Sequence, residues 1–154
     1  LMLSVINIIK VLTETIEENF PDYPVNDRDV EENFPRPSSF IDVETVTGDN
    51  VTPEYVRETS QLVLYFFATD NYRGFLDLLK IKDKLLEILN LPLEIKDDSG
   101  NVLAHVTFDE VNVNIEKADK ALTCGMTSVL IQQRNEDDDI PMMEDLDVNL
   151  HEEE

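Results

Sequence analysis

The sequence predicts an α+β fold: a mainly antiparallel sheet packed by two helices, with an acidic C-terminal tail. Three observations predict it. Apolar residues recur at helical spacing in only two segments, 4–18 and roughly 72–90. The β-like segments are grouped and joined by turns, instead of alternating with helices as in a doubly wound nucleotide-binding sheet. From residue 135 the pattern gives way to charge, with ten acids and no Lys or Arg in 135–154. The expected organisation is one domain over 1–134 and a tail over 135–154, flexible or ordered by a partner.

The first helix, "SVINIIKVLTETIEE" (4–18), has Ser4 as its N-cap. Val5, Ile8, Ile9, Leu12 and Ile16 form its apolar face, and the helix must end before Pro21. "VNDRDV" (25–30) reads as a short strand. "EENFPRP" then leads into "SSFIDVETV", where Ile41 and Val43 share one face while Asp42 and Glu44 share the other. Pro35 and Pro37 cannot donate to a β-ladder, so they belong outside the strand or at a sheet edge. "TGDN" (47–50) carries turn chemistry.

A long strand follows over Glu54–Thr69, with a short helix over 53–59 as an alternative reading of its start. Val56, Leu62, Leu64 and Phe66 fall on one parity. Val63, Tyr65 and Phe67 make the end of the strand apolar on both faces, which suits a central strand or an interface. The second helix presents Phe75, Leu78, Leu79, Lys82, Leu85, Leu86 and Leu89 as one stripe broken only by Lys82. Gly74 near its start carries little expected cost there.

"PLEIKDDSGNVLAHVTF" reads as strand, turn and strand, with the connection at 97–101. "EVNVNIEK" alternates cleanly, but its parity breaks against Phe108, so a bulge or tight bend is expected before Val111. "ALTCGMTSVLIQQ" (121–133) is the last strand. Cys124, the only cysteine, is expected as a small buried apolar residue within it.

Twelve Lys and Arg against 34 Asp and Glu give a net charge of −22, of which the tail contributes −10. Affinity for nucleic acid rests on cations that neutralise phosphates, so this surface repels it, and anionic membranes too. No apolar run approaches the ~20 residues of a membrane span. The two histidines, His105 and His151, lack partners at metal-ligand spacing. "KDDSGN" has the acids of a calcium loop but no closing Glu, and a hairpin turn explains it better. Walker, dinucleotide and nucleophile-elbow motifs are all missing. No catalytic, cofactor or metal residue is therefore assigned, and the chain is read as a non-enzyme.

The order of the pieces is more informative than any one of them. A short helix precedes "NFPDYPVNDRDVEENFPRPSSFIDVE". Next come an aromatic strand, "LVLYFFATDNY", a leucine-rich helix, "GFLDLLKIKDKLLEIL", and a strand pair. This succession, with its Phe-Pro turn, the "Pro-x-x-Phe" at Pro37–Phe40 and the polar turn after Phe67, resembles the tail terminator (tail completion) proteins of tailed bacteriophages over about residues 3–133. The strong acidity and the segment after Arg134 depart from that pattern.

The resemblance implies a structural virion protein. Its copies would assemble into a homo-oligomeric, typically six-fold (hexameric) ring. That ring would cap the tail tube, end polymerisation of the tube protein and meet the head-tail connector protein. DNA would pass through the lumen without being bound specifically, with no membrane and no cofactor involved. The candidate interface residues are Phe34, Arg36, Tyr65, Phe67, Tyr72 and Arg73. The competing class is an acidic module that mimics DNA or inhibits a basic protein.

Overall fold

The computed structural model describes residues 3–26, 35–69 and 72–133, with Tyr72 placed by its backbone. The element order is α1 (Val5–Asn19), β1 (Ser38–Asn50), β2 (Tyr55–Phe67), α2 (Tyr72–Leu89), β3 (Leu93–Lys96), β4 (Val102–Glu116) and β5 (Ala121–Gln133). The strands form one antiparallel sheet in the order β1-β2-β5-β4-β3. The fold is α+β, as the sequence predicts.

α1 begins where a reciprocal cap satisfies its end. The Ser4 hydroxyl accepts from the Ile6 N–H at 3.3 Å, and the Ser4 N–H donates to Asn7 Oδ1 at 2.9 Å. It ends where Phe20 N–H reaches back to the Ile16 carbonyl and Pro21 forbids continuation. Ile8, Leu12 and Ile16 are buried. They meet Leu62, Leu64 and Phe66 of β2, Leu122, Cys124 and Met126 of β5, and Val106 and Phe108 of β4 in a single core. The register puts Leu62 opposite Met126, Leu64 opposite Cys124 and Phe66 opposite Leu122, so one parity of each central strand faces the helices. The other parity forms a sheet face that, among the described residues, no helix covers.

Several details differ from the sequence expectation. Residues 47–50 are strand, not turn: pairing continues through Asn50 opposite Val56, and the chain reverses at 51–54. The Thr52 hydroxyl closes that turn by accepting from the Glu54 and Tyr55 amides. The strand assignment of Tyr55 onward also settles the alternative helix at 53–59. "VNDRDV" supplies only an isolated parallel bridge, Val25 to Ser39, and residues 27–30 lie outside the described ones. In α2 the buried stripe is Leu78, Ile81, Leu85 and Leu89, while Leu86 is 42% exposed. Ile81 replaces Lys82 at the same spacing, which turns the helix so that the lysine escapes the core. The segments before and after residue 109 are one strand, β4, with the expected bulge between Asp109 and Asn112 and Glu110 at φ 53°.

The 97–101 connection is tied by Asp97, whose carboxylate accepts from the Ser99 and Asn101 amides at 2.9 Å. Gly100 sits at φ 89°, a left-handed conformation that favours glycine. Those amide donors hold the Asp97 carboxyl below its ordinary range.

Cys124 is fully buried in the core, and burial pushes its thiol from 9.0 up to about 11. It should not react with a water-soluble thiol reagent until the protein is unfolded. Rapid labelling of the native chain would contradict this placement.

Tyr23 is also buried, and desolvation with the Asp77 and Asp22 charges raises it from 10.0 to about 12. Both groups are held neutral by the fold. Their contribution to stability is therefore complete below the unfolded values and lost as pH rises toward 12. Denaturant midpoints should hold up to about pH 9 and fall steadily above it. A midpoint that stays constant to pH 12 would rule the effect out.

Candidate subunit interface

The prolines flanking Arg36 stand just before β1, which is an edge strand, so neither interrupts a ladder. This segment places the guanidinium across the end of the sheet. Nη1 of Arg36 donates to the Ala68 carbonyl at 2.9 Å and to the Asp119 carbonyl at 2.7 Å. It thereby joins the approach to β1, the exit of β2 and the β4–β5 turn. The guanidinium also lies 5.7 Å from the centre of the Phe67 ring.

From there an aromatic row runs over the uncovered face. Phe67 and Tyr65 lie parallel with centroids 6.1 Å apart, and Tyr65 meets Phe40 across the β1–β2 pair at 6.1 Å. Phe40 and Tyr65 are direct cross-strand partners. Tyr65 and Phe40 remain half-exposed, while Phe67 is buried. Desolvation, then the Asp42 and Glu44 charges, raise the Tyr65 hydroxyl above its ordinary value.

Next to this row the face opens. Val63 is opposite Gly125 in β5, and a Cβ at Gly125 would have nothing within 4 Å. A glycine inside a central strand marks a place where another surface can come close.

Three of the six candidate residues, Arg36, Tyr65 and Phe67, thus meet at one end of the sheet. Arg73 is not part of the row but lines a recess of about 620 Å³ with Asp22, Tyr23, Asp77, Lys80 and, next to Arg36 and Ala68, Pro37 and Thr69. Tyr72 opens α2, but its side chain is outside the described residues, as is Phe34. Phe40 belongs to the row and was missed as a site residue, although it ends the Pro37–Phe40 motif. The carbonyls that hold Arg36 are backbone groups 32 and 83 residues away, and no side-chain pattern announces them.

Replacing Arg36 by alanine should cost about 1 kcal/mol of stability. Hydrogen bonds to a charged donor contribute more than this when shielded, and exposure of the side chain screens it. Urea unfolding of the variant measures the loss; an unchanged midpoint would mean that the clasp is dispensable to the fold.

Among the described residues no cluster of three or more His, Cys, Asp or Glu could hold a metal ion. His105 faces Glu94 across β3 and β4 at 3.7 Å, both well exposed. Among the described residues no helix is long and apolar enough to cross a membrane.

No curated protein matches the sequence. One similar solved chain is 13% identical, covers 88% of this chain and is itself covered over 100%, with a TM-score of 0.44. A likeness that weak carries no argument about function. The family comparison is different in kind: the model described as phage tail terminator protein matches residues 7–140, which take in α1 from Asn7 onward, α2 and all five strands. The chain belongs to the phage tail terminator family, a family of structural virion proteins.

Proposed function

We propose that this chain is the subunit of a closed ring, six-fold by its family resemblance, seated at the head-proximal end of the phage tail tube. There it ends polymerisation of the tube protein and offers the opposite rim to the head connector. The observation that carries the reading is the family match over residues 7–140. The half-exposed aromatic row beside Arg36 supports it, as a recognition surface without catalytic groups.

The net charge of −22 acquires a physical role in such a ring. A negative lumen wall repels phosphates, so exiting DNA slides past without adhering. The same charge makes the copies repel one another, so assembly depends on buried contacts and is promoted by salt.

Residues 1–134 are taken as the folding unit, and the acidic segment 135–154 as dispensable to it. A chain truncated after Arg134 should still unfold cooperatively on heating; loss of that cooperativity would refute the assignment. The function itself is tested with purified tube protein polymerising in vitro. Adding this protein should arrest tube growth at sub-stoichiometric amounts and leave density on one tube end in negative-stain images. Tubes that lengthen unhindered would contradict it.

A further inference from the structure

Among the described residues the sheet ends in two unlike open edges, and their backbone directions follow from the register. The Ser39 N–H donates to the Pro24 carbonyl at 2.9 Å, and its carbonyl accepts from the Asn26 N–H at 2.8 Å. Both groups of Ser39 therefore point away from β2. In an antiparallel pair, opposed residues either both face each other or both face away. Ser39 is opposite Phe66, Phe66 is opposite Leu122, and Leu122 is opposite Ile115. Phe66 and Leu122 hence bond to each other, and Ile115 faces away from β5. Alternation turns the backbone groups of Val113 outward with it, up to the bulge between Asp109 and Asn112. On β1 it turns Ile41, Val43 and, past the bulge between Val43 and Thr45, Val46 outward.

Among the described residues nothing pairs with these stretches: β3 meets β4 between Val102 and Val106, and the described bridge to β1 is Val25 to Ser39. The β1 edge carries Asp42, Glu44 and a bulge, and a bulge with Glu110 precedes 111–115, so both edges are only partly defended. Neither 41–46 nor 111–115 contains Lys or Pro. Residues 111–115, "VNVNI", carry no charge at all in a chain with 34 acids. Val111, Val113 and Ile115 on one edge, and Ile41 and Val43 on the other, pack on the core yet stay partly open, while Val46 is 47% exposed.

We propose that β4 of one copy pairs through Val111–Ile115 with Ile41–Val46 of β1 in the next copy, continuing the sheet from subunit to subunit. Strand directions alternate across the order β1-β2-β5-β4, so a second copy in the same orientation presents its β1 antiparallel to β4. Within one sheet Val113 is level with Ile41, through Cys124 and Leu64, so setting Ile115 against Ile41 takes a shift of about two residues along the strands, which also avoids Ser39, whose backbone groups are already bonded. The join brings two half-open apolar rows together on the helix side of the sheet. Because the edges differ, the contact is head-to-tail, the kind that closes into a ring when the rotation fits. The acids Glu110, Glu116 and Glu44 flank the seam and repel across it, so salt should strengthen the pairing.

This inference rests on the ring reading and is tested separately from it. Amide hydrogen exchange is read on the full chain at low and high salt, with mass measured in parallel. In the monomer the amides of Val113, Ile115 and Val46 should exchange fast, while Asn112 and Asn114 are protected. Assembly should slow the first group at least tenfold. Val46→Pro, which removes an outward N–H, should keep a cooperative monomer and lose assembly. Thr47→Pro, whose N–H bonds to β2, should damage the fold itself. Rings in which the Val113 amide still exchanges fast would overturn the edge pairing and leave the ring intact. A wild-type chain that stays monomeric at high salt would overturn both.

Discussion

Phe66→Ala should remove about 3–5 kcal/mol of stability, a large part of what a domain of this size possesses. Phe66 has no exposed surface. Its ring is met edge-on by Phe20 at 5.3 Å and by Tyr23 at 6.0 Å. Those two residues belong to the turn that ends α1, so one side chain of β2 fixes where the helix leaves the sheet. Truncation leaves a cavity beneath two aromatic edges, and the rigid "NFPDYP" turn has little freedom to fill it. Urea unfolding should show the midpoint collapsing, with Phe66→Leu losing much less because most of the volume is retained. A loss under about 1 kcal/mol for the alanine variant would mean that the turn and strand are not packed as described.

Gly74→Ala should destabilise the protein by about 1–3 kcal/mol, opposite in sign to the gain that helix propensity predicts. A Cβ at this position would collide with the Thr69 carbonyl oxygen, with the Thr69 carbonyl carbon at 3.1 Å and Ala68 Cβ at 3.2 Å. The obstacle is mainly backbone and cannot rotate away. Gly74 thus lets α2 start hard against the exit of β2, next to the Ala68 carbonyl that Arg36 grips. From sequence alone the glycine reads as harmless, because propensity describes an isolated helix and not a helix pressed onto a preceding strand. A stabilised alanine variant would show that this junction is looser than the geometry states.

The parts of the fold that were legible have local causes. β5 was readable end to end because its buried parity, Leu122, Cys124, Met126 and Leu130, is broken only by the small Ser128. The β4 bulge was readable because Phe108 and Val111 cannot share a face in a regular strand. Asp97 and Gly100 announced their turn through their own chemistry.

The misreadings have non-local causes. "TGDN" looks like a turn, but pairing with β2 holds it extended, with Asp49 and Arg57 bridging the two strands in a bidentate contact. In α2, Leu78, Leu85 and Leu89 fit two overlapping stripes, and only packing on the sheet chooses Ile81 over Lys82. At the candidate interface, Tyr65 and Phe67 stood out as aromatics on the second face of an apolar strand. The role of Arg36 did not, because its partners are carbonyls brought close only by the folded chain.

The most direct test of the account is the solution mass of the full chain by light scattering from low to high salt, with negative-stain images of the same samples. The account predicts a discrete closed ring, six-fold by family resemblance, whose population grows with ionic strength as the repulsion between copies at −22 is screened. A chain that remains monomeric at every salt concentration, or that dissociates as salt is raised, would contradict it.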